Sequence, residues 1–170
     1  MKKTIYPLLI ICAFLASTIE VQAQKFGYIN SVQLLSELPE IKAADAQLQT
    51  FQTGLVEKGQ GMMKSLEDNY QKYMAEAQSG ALSQVQQQQK EGELAKQQQE
   101  IQSYEYEVQN QIGAKREELY APILEKVRLI IEDIGKQEGY TMIFDSSAGG
   151  LLSADDGDDI LAIVKTKLGI

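Results

Sequence analysis

The chain has 170 residues, with 16 Lys+Arg against 24 Asp+Glu, no His, no Trp, three Pro and one Cys. Without His there is no imidazole base and no Ser-His-Asp triad, and a single Cys cannot complete the common zinc sites. A net charge of −8 argues against a phosphate-backbone binder, so no nucleic-acid partner is expected, and the length suggests one domain.

Residues 1–23 read as a signal peptide. Met1-Lys2-Lys3-Thr4 is a short basic start, and an apolar run follows from Ile5 to Ile19. Val21-Gln22-Ala23 then offers small residues at the −3 and −1 positions of a cleavage site, which predicts cleavage after Ala23. The run is too short for a bilayer span, and Cys12 sits mid-run, which disfavours a lipid anchor. Cleavage removes Lys2, Lys3 and Glu20 and leaves 14 basic against 23 acidic residues, a net charge of −9. It also removes the only thiol, so packing or association must supply the stability that disulfides often give exported proteins.

Lys25-Phe26-Gly27-Tyr28-Ile29-Asn30 predicts a short strand with Phe26 and Tyr28 on one face. Asn30 or Ser31 can cap a short helix, which Pro39 ends. Residues 40–121 contain no proline and are rich in Gln, Glu, Lys, Ala and Leu, all good helix formers. Ile41, Ala44, Leu48, Phe51, Leu55 and Met62 follow a heptad frame, which drifts through Leu66, Tyr70 and Tyr73 or Met74 to Ala77. A second stripe runs through Leu94, Ile101, Tyr104, Val108, Ile112 and Leu119. Stripes this narrow are coiled-coil seams.

Ser79-Gly80-Ala81-Leu82-Ser83 is the predicted tip, with Gly80 stopping one helix and Ser83 capping the next. Two arms, 41–79 and 83–121, are each about 58 Å long at 1.5 Å rise. Folded back on one another, they set Leu55 against the Val108 region, Met62 against Ile101, Phe51 near Ile112 and Ala77 against Val85. The same register puts Gly92 opposite Tyr70, and Gly59 and Gly61 near Ile101 and Tyr104. Glycines at 54, 59, 61, 92 and 113 weaken the helices, and the cluster Gly54, Gly59 and Gly61 marks a candidate hinge. The Gln-rich stretch 84–111 admits a prion-like reading, but its persistent apolar stripe favours solvated helix surface.

Pro122 suits the first turn of a new or bent helix, whose apolar face is Ile123, Val127, Ile130, Ile131 and Ile134. Gly139 is placed to terminate it. Tyr140-Thr141-Met142-Ile143-Phe144-Asp145 predicts a strand with Tyr140, Met142 and Phe144 on one side, and Leu151-Leu152-Ser153 a paired strand of the same hairpin. Asp158 or Asp159 caps a last helix carrying Ile160, Ile163, Val164 and Leu168. The fold class is therefore α+β, with a body built from 24–39 and 122–170 and a helical arm, 40–121, inserted between them. The body is small for independent stability, and association of protomers is the natural remedy.

This arrangement resembles the Skp/OmpH family of periplasmic chaperones. The resemblance rests on the export signal, the 25–30 strand followed by a short helix and Pro39, and the long charged hairpin. It rests also on Pro122-Ile123 leading into Gly139-Tyr140-Thr141-Met142-Ile143-Phe144-Asp145, and on Asp159-Ile160. It implies a homotrimer with a small central β-barrel and three helical arms around a cavity. That assembly would hold unfolded outer-membrane proteins in the periplasm, without ATP or any other cofactor, and make transient contact with the membrane surface. Mapped here, Phe26, Tyr28, Ile29, Tyr140, Met142, Ile143, Phe144 and Leu151 become trimer-body candidates.

A holdase needs adaptable apolar contacts, and methionine suits them. The client-binding candidates are Met62, Met63, Tyr70, Tyr73, Met74, Leu82 and Val85. Met62, Tyr70 and Met74 are expected to pack the seam, which leaves Met63, Tyr73 and Leu82 as the better candidates. Familiar family members are basic, whereas residues 40–120 here carry 8 Lys+Arg against 13 Asp+Glu, so no lipopolysaccharide site is carried over.

Two apparent sites dissolve on inspection. Asp155-Asp156-Gly157-Asp158-Asp159 lacks EF-hand spacing and reads as a turn and helix cap. Glu117 and Glu118, adjacent on a helix, point in different directions. With no phosphate loop and no nucleophile elbow, an enzyme is not expected. The competing reading is an envelope coiled-coil spacer that binds one defined folded partner.

Overall fold

The protein is described by a computed structural model over residues 24–170. The predicted signal lies outside the described residues. The elements in order are β1 (Lys25–Ile29), α1 (Ser31–Glu37), α2 (Pro39–Gln78), α3 (Gln84–Gln137), β2 (Tyr140–Asp145) and α4 (Leu161–Leu168), with short 3-10 turns at Ser146–Ala148 and Asp156–Asp158. The fold is α+β and mostly helical.

β1 and β2 pair in parallel, Tyr28 with Phe144 and Ile29 with Asp145. A parallel pair cannot be closed by a tight turn and needs a long crossover. The helical hairpin is that crossover. The predicted partner strand at Leu151-Leu152-Ser153 does not form. The other edge of β1 is met by Asp159, where the Ile160 N–H donates to the Tyr28 carbonyl at 3.0 Å. Leu151 is half-buried and outside any strand, and among the described residues β2 pairs with β1 instead of with a neighbouring hairpin strand.

The register slips by one residue between Lys25 and Phe26, which pair with Tyr140 and Met142. A bulge of this kind turns a side chain to the opposite face. Tyr140 therefore joins the core side, under the Lys25 ammonium at 4.1 Å from its ring, while Met142 and Phe144 stay outside. The expectation that Tyr140, Met142 and Phe144 share one side fails for this reason.

The core joins both ends of the chain. Ile29, Leu34, Leu38, Ile41, Val127, Ile134, Ile160 and Val164 form one buried cluster. Ile29 is thus buried within its own chain, and Ile143 packs against the same cluster beside Gly135. Gly27 is buried under the Tyr140 ring, where a Cβ would lie 2.8 Å from a ring carbon.

The caps follow the sequence closely. Asn30, not Ser31, caps α1 by accepting from the Gln33 N–H at 2.9 Å. Pro39 does end α1, and it also opens α2 at the first helical position, where its missing N–H costs nothing. Ser83 and Gln86 form a reciprocal capping box at the start of α3. Gly80 and Gly139 take positive φ just past α2 and α3. At the last helix the expected cap is not made: Ile160, not Asp158 or Asp159, holds the N-cap position of α4, and Asp159 accepts from the Leu161 N–H from one residue further out.

Pro122 neither starts a helix nor divides one. It lies inside the 54-residue α3, which runs from the tip into the body. Tyr120, Ile123 and Val127, on either side of it, all pack on the core and hold the segment helical across the missing N–H. At 1.5 Å rise α3 is about 80 Å long and α2 about 60 Å.

Candidate functional site

The arm changes character along its length. Near the body its seam is closed by Ile41, Ala44, Leu48 and Leu55 on α2 and by Tyr104 on α3, all buried. The Tyr104 ring lies against Gly59, 3.4 Å from where a Cβ would stand, and its hydroxyl donates to the Leu55 carbonyl at 2.9 Å. Lys126 pairs with Glu40 at 2.8 Å, and the Tyr120 hydroxyl donates to Asp45.

Beyond Leu55 and Tyr104, toward the tip, no residue of either helix is buried. Polar contacts replace the core there. The Tyr73 hydroxyl donates to Glu91 at 2.6 Å, Asn69 donates to Gln97 at 3.1 Å, and Lys90 meets Glu76 at 2.5 Å. The Glu91 carboxylate stabilises the protonated phenol and raises the Tyr73 pKa, while Lys90 lowers that of Glu76.

An open groove of about 1470 Å³ runs along one side of this distal half. Its apolar floor comes from Met63, Leu66 and Tyr70 on α2 and from Leu94 and Ile101 on α3, with Tyr73 toward the tip end. Met63 is 61% exposed and Tyr70 53%. Tyr70 and Met74 are therefore not seam residues as the heptad frame implied. Straight helices of 3.6 residues per turn drift out of a seven-residue frame, and these positions have rotated outward.

Met62 is half-buried and lines a smaller groove on the opposite side, beside Tyr104 and Lys58. Met62 and Ile101 thus serve different faces. Leu82 is half-buried at the tip, and Val85 stands exposed in the first turn of α3 instead of packing in the seam. Gly61 and Gly92 have open space where a Cβ would be, so only Gly59 takes part in close packing of the kind expected. The expected Gly92–Tyr70 contact fails because Tyr70 has turned toward the groove.

A second apolar surface lies on the body. Phe26, Met142 and Phe144 are 39%, 55% and 42% exposed on the outer face of the two strands, with the two phenylalanine rings 6.2 Å apart. Parallel strands are normally covered on both faces.

The model of the family described as Outer membrane protein (OmpH-like) matches residues 25–168. The chain belongs to the OmpH-like family. Among solved structures, a crystal structure from Caulobacter crescentus CB15, described as that of an OmpH-like outer membrane chaperone, superposes with a TM-score of 0.73. It covers 86% of this chain and 84% of its own, at 16% identity, so the likeness is one of fold. No curated protein matches the chain. For this OmpH-like chain, Leu66, Leu94 and Ile101 read in the sequence as seam residues, and the structure puts them in the groove. For Leu66 the signal was the drift of the first stripe away from its heptad frame, whereas Leu94 and Ile101 keep a seven-residue spacing and carry no such signal.

Proposed function

We propose that this OmpH-like chain is an ATP-independent periplasmic holdase. It acts as a homotrimer, with residues 24–39 and 122–170 as the body and 40–121 as the arms. Unfolded outer-membrane proteins are held between the arms and kept from aggregating. The observation that carries this reading is the distal arm: two helices with no buried core and a long open groove floored by Met, Tyr and Leu. Side chains of this kind re-pack around many partners, which suits capture without a fixed sequence.

The outer face of the strands supports the trimer. Phe26, Met142 and Phe144 form an apolar patch on strands whose pairing normally demands cover, and further copies of the chain would supply it. Residues 1–23, with their signal-peptide pattern, support export.

The test is suppression of aggregation. Several unrelated denatured outer-membrane proteins, diluted from urea with stoichiometric mature protein, should stay soluble. Failure with all of them, together with tight binding to one folded envelope protein, would favour a spacer instead. Sedimentation equilibrium should give a trimer, and Met142→Asp with Phe144→Asp should shift it to monomer.

A further inference from the structure

The groove on the distal arm is apolar along its floor and acidic at its margins. Glu91 and Glu105 lie on α3 on either side of Leu94 and Ile101, and Glu67 lies on α2 between them along the groove. None of the three makes an ion pair among the described residues. The one lysine lining the groove, Lys64, is already neutralised by Asp68 at 2.9 Å. Three carboxylates thus line the groove without an ion pair, Glu67 accepting from the Gln71 amide and Glu91 from the Tyr73 hydroxyl.

The dimensions limit what fits. Glu91 and Glu105 are fourteen residues apart on one helix, about 21 Å at 1.5 Å rise. An extended chain at about 3.3 Å per residue spans that distance in roughly six residues.

We propose that the groove selects extended client segments of about six residues with an apolar or aromatic centre and Lys or Arg at the flanks. The centre lies on Met63, Tyr70, Leu94 and Ile101, and the flanking cations meet Glu91 and Glu105, with Glu67 reinforcing the field. This rests on the holdase reading and sharpens it. Apolar contact supplies capture, and charge complementarity decides which stretch of a client is captured.

The test uses the full mature protein and three labelled peptides that share one apolar centre and differ only in flanking Lys, Ser or Glu. Binding is followed by fluorescence anisotropy. The Lys-flanked peptide should bind roughly threefold to tenfold more tightly than the Ser-flanked one, as expected for two exposed ion pairs, and the Glu-flanked peptide more weakly. The order should flatten at about 0.5 M salt. The triple variant Glu67→Gln, Glu91→Gln, Glu105→Gln, checked for unchanged helicity, should bind all three alike. Equal binding of Lys and Glu peptides by the wild type, or an unchanged order in the triple variant, overturns the charge selection. In either case the holdase reading stands if the Ser peptide binds and aggregation is suppressed. Suppression with no peptide bound removes the groove as the site, and loss of both removes the holdase reading itself.

Discussion

The hydroxyl of Tyr104 reaches across the arm to the backbone carbonyl of Leu55, at 2.9 Å, because Gly59 leaves room for its ring. This contact marks the last buried layer of the arm before the open distal half. Lys58 lies over the same ring, 4.7 Å from its centre. Tyr104→Phe keeps the ring and loses the hydrogen bond, and should cost about 0.5–1.5 kcal/mol in urea denaturation. Tyr104→Ala also empties the layer and should cost about 3 kcal/mol or more. Equal stability of Tyr104→Phe and wild type would show that the bond contributes nothing net.

Gly27 is the tightest point of the body. A methyl there would stand 2.8 Å from the Tyr140 ring and 3.3 Å from Ile160, both of which help close the core. Gly27→Ala should destabilise the protein by about 1–3 kcal/mol, since overpacking forces neighbours off their rotamers. Tyr140→Leu should recover part of that loss when combined with it, and a double-mutant cycle measures the coupling. Additive losses would place the strain elsewhere.

Asp145 ties the end of β2 to the start of α1. It accepts from the Ser31 hydroxyl at 2.6 Å, from the Ser31 N–H at 3.2 Å, and from the Ser147 hydroxyl at 2.7 Å. Burial pushes its pKa up, but the hydrogen bonds from Ser31 and Ser147 outweigh this and hold it at about 2, below the usual 3.8. A carboxylate depressed in the folded state stabilises the protein above its unfolded pKa, and the benefit fades as pH falls toward the folded one. Asp145→Asn should therefore cost about 1 kcal/mol near neutral pH. The gap to wild type should close between about pH 4 and pH 2. Thermal melts of both proteins across that window would reveal it, and a pH-independent gap would assign the loss to geometry instead of charge.

Local signals carried most of the architecture. Ser83 followed three residues later by Gln86 is a capping box in sequence and in structure, and Gly80 and Gly139 end their helices with positive φ. Asn30 and Pro39 behave the same way. What escaped the sequence depends on partners far along the chain. The slip between Lys25 and Phe26 moves Tyr140 to the core, and β2 takes its partner from β1, far back along the chain, instead of from the segment expected at Leu151. Neither leaves a local pattern. Pro122 misleads for the opposite reason: its local preference is real, but packing of Tyr120 and Val127 overrides it. On the distal arm, Tyr70 and Met74 keep apolar identities on a drifting stripe, so composition suggests seam while rotation exposes them.

The three glycines of α2 are not equivalent, and this bears on arm flexibility. Gly54 and Gly61 have open space where a Cβ would stand, whereas Gly59 meets the Tyr104 ring. All three sit within one continuous helix, Pro39–Gln78. Glycine there exposes backbone to water and loses more freedom on folding than alanine does. Gly54→Ala and Gly61→Ala should each stabilise the arm by up to about 1 kcal/mol, read as raised amide protection in hydrogen exchange over residues 50–65. If these positions let the arm bend around clients of different size, the double variant should retain small clients and lose large ones in the aggregation assay. An arm with raised protection but unchanged capture across client sizes would show that bending at these glycines is not what accommodates the client.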